Sequence, residues 1–397
     1  MKGLSNIALS VRASTTLAVD SLAKQMISEG RDVIGFGAGE PDFDTPDNIK
    51  DAAVAAINAG ETKYTPSAGT VALRRAVANR LAEDCGVIYE PGCIVVAGGA
   101  KLSIYTALMA LLNPGDEVII PSPYWVTYTE AVRMAGGAPV VVDTSRGGRF
   151  KITPEQLDAA VTVRTKLFII NNPTNPTGIL YSGGELRALA DVCARHDIYI
   201  MSDEIYCNLV YGGKKFVSMP SLGEDIKERS ILINGVSKTY AMTGWRIGYS
   251  ASNSGIAGVM GSYLSHSTSS PSTISQFAAL EALTGSQDSR AAMLAEFEKR
   301  RDYAVERINS IEGISCIEPD GAFYIMIDIG EQIGRTLGGR FISGGDDFAL
   351  SLLKSGLVAT VSGAGFGAPG YVRMTYAVSM EKITRGLDRL EAFVASK

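Results

Sequence analysis

The chain has 397 residues, 46% of them hydrophobic and 20% charged, and 37 basic against 42 acidic side chains give a formal net charge of −5. These are globular values with length enough for two or three domains. They argue against a disordered chain and against an overall nucleic-acid footprint. His196 and His266 are the only histidines, too few for a multi-histidine centre, and no metal is expected.

The five cysteines, Cys85, Cys93, Cys193, Cys207 and Cys316, are odd in number and lack C-x-x-C spacing. That pattern fits a reducing compartment better than a disulfide framework. Met1–Asn6 leads into no apolar signal core, and no stretch approaches the roughly 18 uncharged apolar residues that span a membrane. A soluble, cytoplasmic protein without nucleic-acid or membrane partners is expected.

In chain order, short β-branched runs end in turn residues at 94–96, 117–121, 140–143, 167–171, 198–203 and 230–234. Helix-like stretches such as 102–112 and 184–196 lie between most of them. Near-continuous apolar strands separated by helices predict an α/β fold whose mostly parallel sheet is covered on both faces. After about residue 285 the texture becomes α+β: a long charged helix over 290–310, a strand at 322–327, a helix near 346–355, strands near 357–361 and 371–377, and a terminal helix from 380. A large domain over 46–285 and a small C-terminal domain over 286–397 are expected.

Ligands of such sheets bind beyond the carboxyl ends of the strands, and Asn171, Asp203 and Asn234 are polar residues at those ends. Three segments follow from there. Residues 234–249 carry small residues, the Ser237 hydroxyl, Lys238 and Arg246. A hydroxyl and a guanidinium suit a phosphate, and a lysine beside them can bond a carbonyl cofactor; alone, the segment also reads as a strand-loop-strand with solvated cations. In Ser202-Asp203-Glu204-Ile205-Tyr206, an acid at a buried strand end asks for a cation such as a protonated pyridine nitrogen, or else serves as a helix cap. The two X-Pro steps and the glycine of Asn171-Asn172-Pro173-Thr174-Asn175-Pro176-Thr177-Gly178 describe a stiff loop that can present the Asn175 amide.

Taken together, Asn-Pro-x-Asn-Pro-x-Gly, Ser-Asp-Glu-Ile-Tyr and Ser-Lys-x-x-x-Met-x-Gly-Trp-Arg-x-Gly resemble the class I/II aminotransferases, fold-type I enzymes that use pyridoxal 5′-phosphate (PLP). The resemblance is closest to the bacterial aspartate aminotransferase branch. It extends through 38–46, 63–66, 123–125 and 371–377 and covers essentially the whole chain. It implies a large domain with a seven-stranded sheet, and residues 1–45 as an N-terminal arm that contributes to the small domain.

The resemblance also implies roles. Lys238 would be the covalent anchor of PLP and, once released, the general base. Asp203 would pair with the pyridine nitrogen, Asn175 and Tyr206 would bond the phenolic oxygen, and Trp125 would stack on the ring. Ser237, Arg246 and the Gly99-Ala100-Lys101 backbone at a helix start would hold the phosphate. Tyr64 would reach the phosphate of a neighbouring subunit, which implies a homodimer with shared sites. Arg373 would clamp the substrate α-carboxylate with Asn175, Trp125 and the Gly39 backbone. Lys101, with Ser14 and Thr16 assisting, would read a distal carboxylate. The implied reaction is ping-pong transfer of the amino group from L-aspartate to 2-oxoglutarate, giving oxaloacetate and L-glutamate.

One departure is visible: Val361-Ser362-Gly363 stands where relatives often carry Pro-Gly. A transferase of prephenate, aromatic or alanine specificity, or a C–S lyase on the same fold, shares the cofactor residues and remains the alternative. A dinucleotide-binding dehydrogenase is disfavoured, because Gly35-x-Gly37-x-Gly39 and Gly363-x-Gly365-x-Gly367 lack the G-x-G-x-x-G spacing. A PLP-binding DNA regulator is disfavoured by the lack of a basic N-terminal extension.

Overall fold

The computed structural model describes residues 3–11, 15–145 and 149–396. The larger sheet has seven strands in the spatial order Ile94–Ala97, Gly248–Ala251, Ser230–Gly235, Tyr199–Asp203, Thr165–Asn171, Glu117–Ser122 and Ala138–Asp143. Gly248–Ala251 runs antiparallel to both its neighbours, and every other neighbouring pair is parallel. Six of these strands coincide with the β-branched runs. The seventh escapes that pattern because Gly-Tyr-Ser-Ala has no β-branched residue, although all four residues are buried.

Burial on both faces explains why the central runs are apolar without alternation. Leu167 and Ile169 face the helices Ala100–Leu111 and Ser254–Ser267, whereas Phe168 and Ile170 face the helix Gly183–Arg195. That last helix starts where the sequence places a capping box: Ser182 accepts from the Glu185 amide, and the Glu185 carboxylate accepts from Ser182 in return.

A second, four-stranded sheet has the order Val361–Ser362, Tyr371–Thr375, Tyr324–Asp328, Ser315–Cys316, and all its pairs are antiparallel. It shares one core with the helices Asp288–Asn309 and Met380–Val394 through Phe297, Ile308, Phe323, Ile325, Leu387 and Phe393. The single strand expected near 357–361 is two pieces. Val358–Ala359 pairs in parallel with Ile34–Gly35, while Val361–Ser362 pairs with Tyr371–Thr375, so the chain changes partners at Thr360. The helix expected near 346–355 is α-helical over Gly345–Ser351 and closes in a π turn, Leu352–Gly356.

Two contacts aim these parts at one place. The Phe36 amide donates to the Ala359 carbonyl and the Thr375 amide to the Phe36 carbonyl, which stitches the early chain beside the strand that carries Arg373. In the larger sheet, Gly248 passes under the start of the helix Ala100–Leu111. A Cβ there would lie 2.1 Å from the Ala100 nitrogen and 2.3 Å from the Gly99 carbonyl carbon. Gly248→Ala must therefore push backbone against backbone and is expected to destabilise the protein by about 3 kcal/mol or more. Chemical denaturation followed by circular dichroism measures this; an unchanged midpoint would show that the close approach does not exist.

Candidate active site

Asn171 and Asp203 are register partners at the ends of adjacent parallel strands, and Asp203 pairs with Ile233, two residues before the end of the next strand at Gly235. Lys238 follows three residues later. The carboxyl edge of the sheet thus collects an amide, an acid and an amine, as expected for a sheet of this type. A cleft of about 670 Å³ opens over that edge. Asn171 stiffens the loop beyond its own strand. Its Oδ1 accepts from the Asn175 amide at 2.7 Å, its Nδ2 donates to the Asp203 carbonyl at 2.9 Å, and its carbonyl accepts from Thr174 Oγ1 at 2.7 Å.

Asp203 and Lys238 are shifted toward neutrality from opposite sides. Burial pushes the Asp203 carboxyl up to about 6, opposed by the Tyr128 hydroxyl that donates to Oδ2 at 2.6 Å, by the Ile205 amide at 3.2 Å, and by the charge of Lys238. Burial is also the largest influence on Lys238 and brings its amine down to about 8. Glu40 opposes the change, Arg373 and Arg246 add to it, and Asp203 opposes it. An amine in that range is a usable base near neutral pH. Its Nζ donates to the Gly39 carbonyl.

Arg373 is buried in the middle of its strand, opposite Met326 and Val361. Its Nη1 donates to Asn175 Oδ1 at 3.0 Å and its Nη2 to the Gly37 carbonyl at 2.8 Å, while its Nε is buried and has no hydrogen-bond partner among the described residues. The guanidinium lies 4.4 Å from the ring centre of Tyr324 and 5.0 Å from that of Phe366. Burial lowers its pKa, opposed by the Tyr324 and Tyr206 hydroxyls.

A helix start also borders the cleft. Gly99 has φ 95° and precedes Ala100, the first residue of a 12-residue helix. A Cβ on Gly99 would fall 2.3 Å from Arg246 Nη2, so the guanidinium lies directly against that backbone. Ser237 and Arg246 line the same cleft, and Arg246 Nη1 donates to the Thr243 carbonyl at 2.8 Å.

Of the residues singled out in the sequence, Gly39, Ala100, Lys101, Trp125, Asn175, Asp203, Tyr206, Ser237, Lys238, Arg246 and Arg373 line this cleft together. Lys101 is exposed, with its amine 5.0 Å from the ring centre of Trp125; desolvation and then Arg246 lower its pKa. Neither Gly99 nor Tyr64 lines the cleft: Gly99 lies behind the Arg246 guanidinium, and Tyr64 is 91% exposed. Asn234 also points elsewhere, donating to Cys207 Sγ at 3.2 Å. Ser14 and the Thr16 side chain lie outside the described residues.

Sequence reasoning missed Tyr128, Tyr324, Phe366, Glu40 and Thr243. Tyr128 had a signal, since it stands three residues after Trp125 and their rings meet edge to face at 5.5 Å. Tyr324 shares a hydroxyl–hydroxyl hydrogen bond of 2.9 Å with Tyr206, a contact 118 residues apart in the chain that no local pattern announces.

A model of the family described as aminotransferase class I and II matches residues 31–390. The chain belongs to the class I and II aminotransferases. This aminotransferase is 46% identical over 388 residues to aspartate aminotransferase of Geobacillus stearothermophilus, with 98% of each chain covered. It is 47% identical over 397 residues to aspartate/prephenate aminotransferase of Cereibacter sphaeroides, covering 100% of this chain and 99% of the relative. Among solved structures, aspartate aminotransferase of Rhizobium meliloti superposes with a TM-score of 0.96 at 40% identity over the whole of both chains. That of Thermus thermophilus with maleate gives 0.92 at 39% identity, covering 99% of this chain and 100% of the other. The α/β fold with its mostly parallel seven-stranded sheet is the fold-type I architecture of this family.

The titrations carry opposite signs. Folded Asp203 holds its proton more tightly than the unfolded chain, so its contribution to stability is whole below the ordinary value of 3.8 and is lost as pH rises through about 6. Folded Lys238 releases its proton more readily, so its cost is full below about 8 and disappears as pH rises through 10.5. The Asp203 change corresponds to roughly 3 kcal/mol once the carboxyl is ionised. In cofactor-free protein, Asp203→Asn is expected to flatten the fall in thermal midpoint between pH 4 and about 7. An identical slope in variant and wild type would mean that Asp203 is not buried as a charge.

Proposed function

We propose that this aminotransferase holds PLP in the cleft and transfers the amino group of L-aspartate to 2-oxoglutarate, giving oxaloacetate and L-glutamate in a ping-pong sequence. The observation that carries the reading is the pairing of a buried acid, Asp203, with a desolvated amine, Lys238, in the same cleft as a guanidinium with an unpartnered nitrogen.

The residues present fit the cofactor. Among the described residues, the hydrogen-bond donors to Asp203 are uncharged, which suits the carboxylate to a protonated ring nitrogen. The Gly99–Ala100 backbone, Ser237 and Arg246 form a cradle for a dianion, which the helix start favours. Tyr206 and Asn175 offer donors for the phenolic oxygen, and Trp125 a ring to stack on. Bound there, the cofactor supplies the electron sink that lets an α-proton leave.

The chain supplies the rest. Lys238 is the covalent anchor and, when free, takes and returns the α-proton, for which a pKa of about 8 is well matched. Asp203 keeps the ring nitrogen protonated. Arg373 binds the α-carboxylate; Asn175 Oδ1 and the Gly37 carbonyl hold its fork in place, and the unpartnered Nε is a donor in reserve. Trp125 and the Gly39 backbone complete that subsite. Lys101, above Trp125, reads the distal carboxylate.

Aspartate is supported by the names of the relatives and by the maleate, a dicarboxylate, in the Thermus thermophilus structure. The alternative acceptor, prephenate, has one observation in its favour beyond the name of the Cereibacter sphaeroides relative: apolar Val19, Ala23 and Ile27 also line the cleft. A homodimer is supported by Tyr64, which is exposed and outside its own cleft and so free to serve a neighbour's phosphate site. Free thiols at all five cysteines suit the cytoplasm. The division into 1–45, 46–285 and 286–397 is supported by the core that Ile34 and Phe36 share with residues of the last segment.

The test is a panel of amino donors with 2-oxoglutarate, run on wild type and Lys101→Ala. Aspartate is expected to be the preferred donor, and the variant to lose about 10- to 100-fold in kcat/KM for aspartate while aromatic donors change little, the scale of a lost charged hydrogen bond. Equal losses for aspartate and aromatic donors would remove Lys101 as the selector.

A further inference from the structure

Glu204 follows Asp203 directly yet does not line the cleft. Side chains alternate along an extended chain, so Ser202 and Glu204 share the face away from Asp203. Glu204 is wholly buried, and its carboxylate accepts hydrogen bonds from three donors, the hydroxyls of Ser202 and Ser218 and the Met219 amide. Ser202 Oγ donates to Oε1 at 2.8 Å, Ser218 Oγ lies 3.0 Å from Oε1 and 2.8 Å from Oε2, and the Met219 amide donates to Oε1 at 3.0 Å. All these donors are uncharged, and among the described residues no arginine or lysine pairs with this carboxylate. A buried anion without a cation is costly, and a neutral side chain would fill the same space at lower cost, so packing alone does not account for it.

We propose that Glu204 is a positioning residue for the amino transfer: from behind the sheet it anchors the segment that presents Asp203 and Tyr206, and it adds its negative charge to that of Asp203 at the end of the cleft that holds the ring nitrogen. This rests on the reading of the cleft as a PLP site. The titratable groups facing Glu204 are Asp203 on its own segment, Tyr89 from the loop before Ile94–Ala97, and Cys85 at the end of the helix Val71–Cys85. The Tyr89 hydroxyl is buried with no hydrogen-bond partner among the described residues, and Lys227 lies against the Tyr89 ring at 5.3 Å. Burial pushes Glu204 up to about 7 against its hydrogen bonds, and the charge of Asp203 pushes it further the same way. Above that value both carboxylates favour a protonated ring nitrogen; below it, Asp203 acts alone.

Two variants test this, with PLP itself as the probe. Wild type is expected to lose PLP affinity and kcat together as pH falls through about 7. Glu204→Gln keeps the shape and most of the hydrogen bonds but not the charge. It should weaken PLP binding at pH 8 by about tenfold, the scale of a charge interaction across several ångströms of protein, and should lack the limb near pH 7. Its KM for aspartate should stay within about twofold, because Glu204 touches no substrate. Ser218→Ala removes a donor to the charged form, so it should move the limb upward; it carries the test if the glutamine variant does not fold. Wild-type affinity and an unmoved limb in either folded variant would overturn the proposal. Wild-type protein that bound no PLP would instead overturn the cofactor reading.

Discussion

Burial of Asp203, Lys238 and Arg373 in one cleft places the same desolvation penalty on an acid, an amine and a guanidinium. The penalty moves the acid up and the two bases down, and among the described residues no close ion pair relieves it. Asp203 leans on the Tyr128 hydroxyl and a backbone amide, Lys238 on the Gly39 carbonyl, and Arg373 on an amide oxygen and a carbonyl. Charges held by neutral dipoles keep a strong demand for a charged ligand. A phosphorylated pyridine and a carboxylate substrate would answer that demand at each of the three groups.

The fold meets this constraint by drawing the cleft from distant parts of the chain. Asp203 ends one strand of the large sheet and Lys238 follows the end of its neighbour, whereas Arg373 lies on a strand of the small sheet. Residues 34–39 run between them: Ile34–Gly35 pairs with Val358–Ala359, the Gly37 carbonyl receives Arg373, and the Gly39 carbonyl receives Lys238. Gly39 has no room for a side chain, because a Cβ would sit 2.6 Å from the Tyr324 hydroxyl. A shift in this short segment would disturb the positions of the amine and the guanidinium at once.

Much of this was legible in the sequence for identifiable reasons. Buried parallel strands read as apolar runs, and their polar ends marked Asn171 and Asp203 at the cleft. The same rule misjudged Asn234, whose side chain turns to Cys207. The Gly248–Ala251 strand passes under a helix start at Gly248, and Gly-Tyr-Ser-Ala sends no β-branched signal. The break at Thr360 was invisible because pairing partners, not local preference, divide that strand. Tyr324 and Phe366 reach Arg373 only through the tertiary fold. The departure from Pro-Gly at 361–367 does bear on the site, since Val361 is the cross-strand neighbour of Arg373 and Phe366 packs on its guanidinium.

The central claim is that Lys238, and no other lysine, is the amine prepared for a carbonyl cofactor. Incubating the protein with PLP, reducing with borohydride and mapping the modified peptides by mass spectrometry tests it directly. The adduct is predicted on Lys238, with formation rising as the pH passes about 8 and no replacement site in Lys238→Ala. An adduct on Lys101 or another lysine, or none on Lys238, would contradict the account.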